Sequence, residues 1–118
     1  MILYHNPRWG KSRESVKILN KKGIDFTTIE YLKSPLTASE LHALGLKLGL
    51  RPKEFIRNKE SKFINLELSD KLNNDKQLIQ AIADHPELME RPILVNGKKA
   101  VIGRPPKKIL NIIWLPLK

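Results

Sequence analysis

Cysteine is absent from all 118 residues of this chain. That single absence excludes disulfides, thiolate metal sites and any cysteine nucleophile. Histidine is scarce, and His5, His42 and His85 stand apart with no spacing that suggests a metal cluster. Long apolar runs are missing too. The longest, such as Ile112-Ile113-Trp114-Leu115, fall far short of a bilayer span, so no membrane partner is expected. No basic-then-apolar leader pattern opens the chain, because Met1-Ile2-Leu3-Tyr4 runs straight into polar residues, and a cytoplasmic location is the default expectation. Acidic residues are few, 12 against 22 lysines and arginines, which leaves a formal net charge of +10. A field of that sign attracts anions, from small oxyanions to acidic protein surfaces or nucleic acid. The cations lie in small groups (Lys21-Lys22, Lys98-Lys99, Lys107-Lys108), which argues for a solvated basic surface and against a nucleic-acid tract.

What remains is a chain of single-domain length, 1–118, with 41% hydrophobic residues, enough for one modest core. Residues 2–5 read as a short buried strand that Asn6-Pro7 ends. Residues 12–22 read as a helix with Val16 and Leu19 on one face, Glu14 in the first turn, and Gly23 as its stop. Residues 26–31 are β-branched and aromatic and read as a second strand, which a compact crossover would pair in parallel with the first.

A helical insertion over roughly 36–84 follows. Thr37 and Glu40 fit a capping box, with Leu36 and Leu41 as the staple around it, and Gly49 ends that helix. Pro52 begins a short helix leading to Phe55, Ile56 and Arg57. Residues 74–84 form another, with Asn74 and Gln77 as its box and Leu78, Ile79 and Ile82 as its buried face; residues 58–73 show no readable pattern. Ile93-Leu94-Val95, Asn96-Gly97 and the apolar run after Lys98 read as a hairpin turning at Asn96-Gly97. A final helix is expected over 106–114. The order β-α-β, helices, β-β-α predicts an α/β, thioredoxin-like mixed sheet with an inserted helical region.

Two groups of residues carry chemistry. The first is His5-Asn6-Pro7-Arg8-Trp9-Gly10-Lys11-Ser12-Arg13, which leads from a strand into a helix. A helix start offers unpaired N–H groups and partial positive charge, so it suits an oxyanion; Gly10 permits close approach, and Ser12 and Arg13 add a hydroxyl and a cation. The second is Arg57, Arg91 and Arg104, each beside a structural landmark and each able to donate a two-pronged fork to a tetrahedral anion.

This combination resembles the glutaredoxin-coupled arsenate reductases, which carry His-Asn-Pro-x-Cys-x-x-Ser-Arg near the N-terminus and three active-site arginines in contexts like Ile56-Arg57-Asn58, Glu90-Arg91-Pro92-Ile93 and Gly103-Arg104-Pro105. The resemblance implies a thioredoxin fold, a cis bond before Pro92, arsenate or a similar oxyanion as ligand held by Asn6, Gly10, Arg13, Arg57, Arg91 and Arg104, no bound cofactor or metal, and glutathione and glutaredoxin as co-substrates. In that family the loop thiolate attacks arsenate, glutathione attacks the adduct, and glutaredoxin completes the reduction. His5 and Ser12 correspond to residues that support the thiolate, and Trp9 stands where the thiolate would be. An indole has no nucleophilic atom, and a serine ester of arsenate supplies no electrons. The expectation is therefore a family member with the arginine site kept and the reduction lost or altered. The competing expectation is a non-catalytic binding module, an oxyanion sensor or a partner of the transcription machinery; a ligand-free structural domain comes third.

Overall fold

The computed structural model describes residues 1–113. Strand β1 (Ile2–His5) is followed by helix α1 (Gly10–Lys21) and strand β2 (Thr27–Glu30). Helices α2 (Ala38–Leu48), α3 (Pro52–Phe55), α4 (Ser61–Asn65) and α5 (Asp75–Asp84) come next, then strands β3 (Ile93–Asn96) and β4 (Lys99–Ile102). The sheet order is β2-β1-β3-β4, with β1 and β2 parallel and the other neighbours antiparallel, the mixed sheet of a thioredoxin-like α/β fold. No helix among the described residues is long and apolar enough to cross a membrane.

The described residues divide into two compact units, 1–34 with 91–113, and Pro35–Glu90. In the sheet unit, Leu3 and Leu94 meet Leu19 of α1 and Ile109, Ile112 and Ile113 of the C-terminal segment in one apolar cluster. In the helical unit, Leu41, Leu44, Phe55, Leu78, Ile82 and Leu88 are the centre of a second core, each at most 3% exposed.

Local chemistry sets the clearer boundaries. At α2 the capping box forms in both directions: Glu40 N–H donates to Thr37 Oγ1 at 3.1 Å, and Thr37 N–H donates to Glu40 Oε1 at 2.9 Å. Gly49, left-handed at φ 69°, closes the same helix, a conformation that glycine adopts without a Cβ penalty. At α5, Asn74 Oδ1 accepts from Gln77 N–H at 3.1 Å, and Leu78, Ile79 and Ile82 are buried as expected.

Several expectations shift. Helix α1 begins two residues early, at Gly10, with Trp9 as the capping residue. Its first turn therefore holds Lys11 and Arg13 and no acidic group, and Glu14 lies beyond it. Cations there oppose the helix dipole and raise the positive potential at the loop. The helix buries Ser12, Ser15 and Leu19, with Val16 only partly covered. The hairpin turns at Gly97-Lys98, since Asn96 pairs with Lys99. Gly97 has φ 61°, and Lys98 is not among the residues of positive φ, the sign pattern of a type II′ turn led by glycine. Asn96 instead turns its amide inward, donating from Nδ2 to Ile112 O at 2.6 Å. The unreadable stretch contains α4 and a 3-10 turn, Leu68–Lys71. The last described element is a 3-10 helix, Pro106–Asn111, and Trp114 of the expected helix lies outside the described residues.

Candidate functional site

β1 delivers His5 and Asn6 to a turn over residues 6–9, closed by Trp9 N–H donating to Asn6 O at 3.0 Å, with Pro7 at the second position where its fixed φ fits. Asn6 Oδ1 accepts from Arg8 N–H at 3.1 Å, and the buried Ser12 Oγ accepts from Asn6 N–H at 3.3 Å. Arg13 Nη1 donates to Pro7 O at 3.0 Å. Asn6, Ser12 and Arg13, expected to serve an anion or a thiolate, thus hold the shape of the loop itself. Gly10 opens the helix with its Cβ position 3.8 Å from Arg13 Nη2, so the glycine leaves this face of the loop uncovered.

Trp9 sits at the helix start with extended backbone, φ −104° and ψ 132°, and its side chain is 43% exposed. The Arg91 guanidinium lies over the indole, its Cζ 3.5 Å from the ring centroid. Arg91 is only 5% exposed, so this cation–π contact is made largely out of water, where it is strongest. Trp9, Lys11, Ser12, Arg91 and Arg104 together line a remaining cavity of about 10 Å3. That is about the room one water needs, and several times less than a tetrahedral oxyanion would occupy.

Around this cleft the backbone is tightly set. The Arg91-Pro92 bond is cis, as the resemblance implied, and so is Arg104-Pro105. Gly103 N–H donates to Pro92 O at 2.8 Å. A Cβ on Gly103 would meet Pro92 Cγ at 3.0 Å, Ile109 Cγ2 at 3.1 Å and Ser15 Oγ at 3.2 Å, so only glycine lets the segment carrying Arg104 approach this closely.

Of the three expected arginines, Arg91 and Arg104 line one cleft. Arg57 belongs to the helical unit, where its Nη1 pairs with Glu60 Oε2 at 2.7 Å and its Nε lies 3.8 Å from Glu90 Oε1. Its backbone N–H donates to Leu88 O at 2.6 Å.

His5 lines a different cleft of about 320 Å3, with Asn6, Pro7, Arg8, Glu30, Leu32 and Lys33. Its Nδ1 is buried with no hydrogen-bond partner among the described residues. Burial pushes the imidazole below the ordinary histidine pKa; Glu30 opposes that shift and Arg13 adds to it. Sequence reasoning missed Lys11 and Glu30. Lys11 was legible as the second residue of the helix, once that start is set at Gly10; Glu30 becomes a neighbour of His5 only through the parallel β1–β2 register. Among the described residues no cluster of His, Cys, Asp or Glu could hold a metal.

Known proteins resemble this chain over nearly its whole length. The ArsC family model matches residues 4–112. An uncharacterized protein of Escherichia coli K12, YfgD, is 43% identical over 112 residues, 94% of each chain. An arsenate reductase of Haemophilus influenzae is 39% identical over 114 residues, 96% of this chain and 98% of that one. The solved structure of an arsenate reductase from Vibrio cholerae superposes with a TM-score of 0.92 at 40% identity, covering 95% of this chain and 96% of the other.

Proposed function

The chain belongs to the ArsC family, and from that premise we propose that it is a non-reducing member that binds arsenate or a similar tetrahedral oxyanion behind a movable Trp9. The observation that carries this reading is the indole stacked on Arg91 at 3.5 Å, in the loop where the family's thiolate would act. Reducing arsenate to arsenite takes two electrons, and in the thiol route sulfur supplies them. This chain has no sulfur nucleophile. Ser12 is no replacement, because its hydroxyl is buried and already accepts from Asn6 N–H. Glutathione and glutaredoxin then have no adduct to act on.

Anion binding needs no thiol. Arg91 and Arg104 offer forked donors, Lys11 adds a charge, and the start of α1 adds its dipole. Trp9 is exposed enough to rotate outward, and an incoming oxyanion would take its place over Arg91.

The test compares this protein with Trp9→Cys in a coupled glutathione, glutaredoxin and NADPH assay with arsenate. The parent is expected to stay at the blank rate and the variant to turn over. Turnover by the parent sinks the non-reducing reading; silence from both means that the site has drifted by more than one residue. A second measurement follows Trp9 fluorescence in a Trp114→Phe background during arsenate titration. A saturable change that Arg91→Met abolishes is expected. A flat response to arsenate, phosphate and sulfate removes the oxyanion half of the proposal.

A further inference from the structure

A further cleft, of about 580 Å3, lies wholly within the helical unit, inside the usual range for small-ligand sites. Its lining is mainly apolar and includes Leu41, Gly45, Phe55 and Ile79, all buried, with Leu46 at 72% exposure. Gly45 packs against Phe55 and adds no side chain to fill the space: a Cβ there would already meet Leu50 O and Phe55 Cε2 at 3.3 Å. Water in such a cleft finds few hydrogen-bonding partners on its walls, and a polyhydroxyl or nucleotide ligand would fare no better.

The polar groups of the cleft include an ion pair. Arg51 Nη2 donates to Asp75 Oδ1 at 2.9 Å and to Asn73 O at 3.5 Å. Nη1 and Nε of the same fork make no hydrogen bond among the described residues, so two nitrogens of a planar guanidinium, with three N–H donors, remain for a ligand. Lys76 and His42 line the same cleft. Asp75, the acidic member, is already engaged by Arg51, which leaves the rim cationic in a chain of net charge +10. The hydrogen bond and charge of Asp75 hold the Arg51 guanidinium above its ordinary pKa, so it stays a cation.

We propose that this cleft binds an amphipathic carboxylate, a free fatty acid whose chain lies along Ala38, Leu46, Leu50 and Ile79 over the buried floor of Leu41 and Phe55, and whose head is held by Arg51 and Lys76. The apolar lining selects the acyl chain, and the open arginine fork selects the carboxylate. Charge also disfavours a second copy of the chain as occupant, since two cationic rims would face each other. Nothing in this inference depends on Trp9 or on the oxyanion reading.

Decanoate, kept below its micellar concentration, is the probe, and amide NMR of the full chain is the readout, with decylamine as the opposite-charge control. Saturable shifts confined to α2, α3 and α5 are expected for decanoate, with decylamine weaker by about tenfold or more. Leu46→Glu, at an exposed position that the fold does not need, places a carboxylate in the cleft and should weaken decanoate by a similar factor. The amide positions of α4 and of Leu68–Lys71, in the same unit but outside the cleft, report that the variant still folds. Arg51→Gln should narrow the preference for decanoate over decylamine. Shifts that never saturate, that spread over the whole chain, or that persist unchanged in Leu46→Glu overturn the proposal and leave the face to a macromolecular partner. Equal affinity for decylamine overturns it as well.

Discussion

The two units of this chain bury different things. His5, Asn6, Ser12, Ser15, Arg91 and Asn96, the buried polar and charged residues among those described, all belong to the sheet unit. The helical unit buries aliphatic and aromatic side chains and keeps its ion pairs, Arg57–Glu60 and Arg51–Asp75, in partly or largely exposed positions. A polar group taken out of water costs free energy unless a partner replaces the lost hydrogen bonds. Natural folds tolerate that cost where geometry must be specific. Here it gathers around the loop over residues 6–9 and the Trp9–Arg91 stack, where side chains hold backbone and backbone holds side chains. The helical unit is held by packing, which constrains volume more than identity. The sheet unit is thus the place to look for position-specific function, and the helical unit the place where a cleft can stay open without upsetting a polar network.

That contrast can be broken experimentally, and the largest effect should come from the apolar side. Phe55 is fully buried, so Phe55→Ala is expected to cost about 3–5 kcal/mol, read from the urea midpoint. A loss under about 1 kcal/mol would mean that the core of the helical unit is loose and that the comparison fails there. Next comes Asn96→Ala, which removes the 2.6 Å bond to Ile112 O and leaves that buried carbonyl without this donor. The expected loss is about 1–3 kcal/mol in the same measurement, although the residue borders a two-residue turn where surface substitutions are usually mild.

The smallest effect is a pH dependence. Burial lowers the His5 pKa in the folded chain, so the unfolded chain binds the proton more readily. The stability that His5 contributes is therefore fully present above the ordinary histidine value of about 6.5, and is lost as pH falls through the lowered folded value. Urea midpoints measured from pH 7.5 down to 5 should fall more steeply for the parent than for His5→Asn. Parallel curves would show that the buried imidazole is solvated more freely than its burial implies.

Much of this architecture was legible in the residues. The capping box at Thr37 and Glu40, the glycine stop at Gly49 and the apolar face of α5 involve partners within one or two turns, so local chemistry decides them. Helix α1 was harder. Its start depends on whether Gly10 and Lys11 continue from Trp9, and the hydrogen bond from Arg13 N–H to Trp9 O settles that. The turn at Gly97-Lys98 was misplaced by one residue because Asn96 is drawn inward to a carbonyl 16 positions away, a competitor that no local rule contains. The site divides the same way. Its loop string and its arginines were readable, but the hydrogen bonds of Ser12 and Arg13 to the loop backbone were not.

Sequence alone determined the absence of a thiol, the basic charge, the β-α-β opening and the ends of α2, because composition and short-range capping are properties of adjacent residues. Only the tertiary structure decided that Arg91 and Arg104 share a cleft with Trp9, that the indole fills it, and that His5 lines another. Those outcomes depend on β3 packing beside β1, which joins residues some 90 positions apart through sheet register, and register is set by burial across the whole unit.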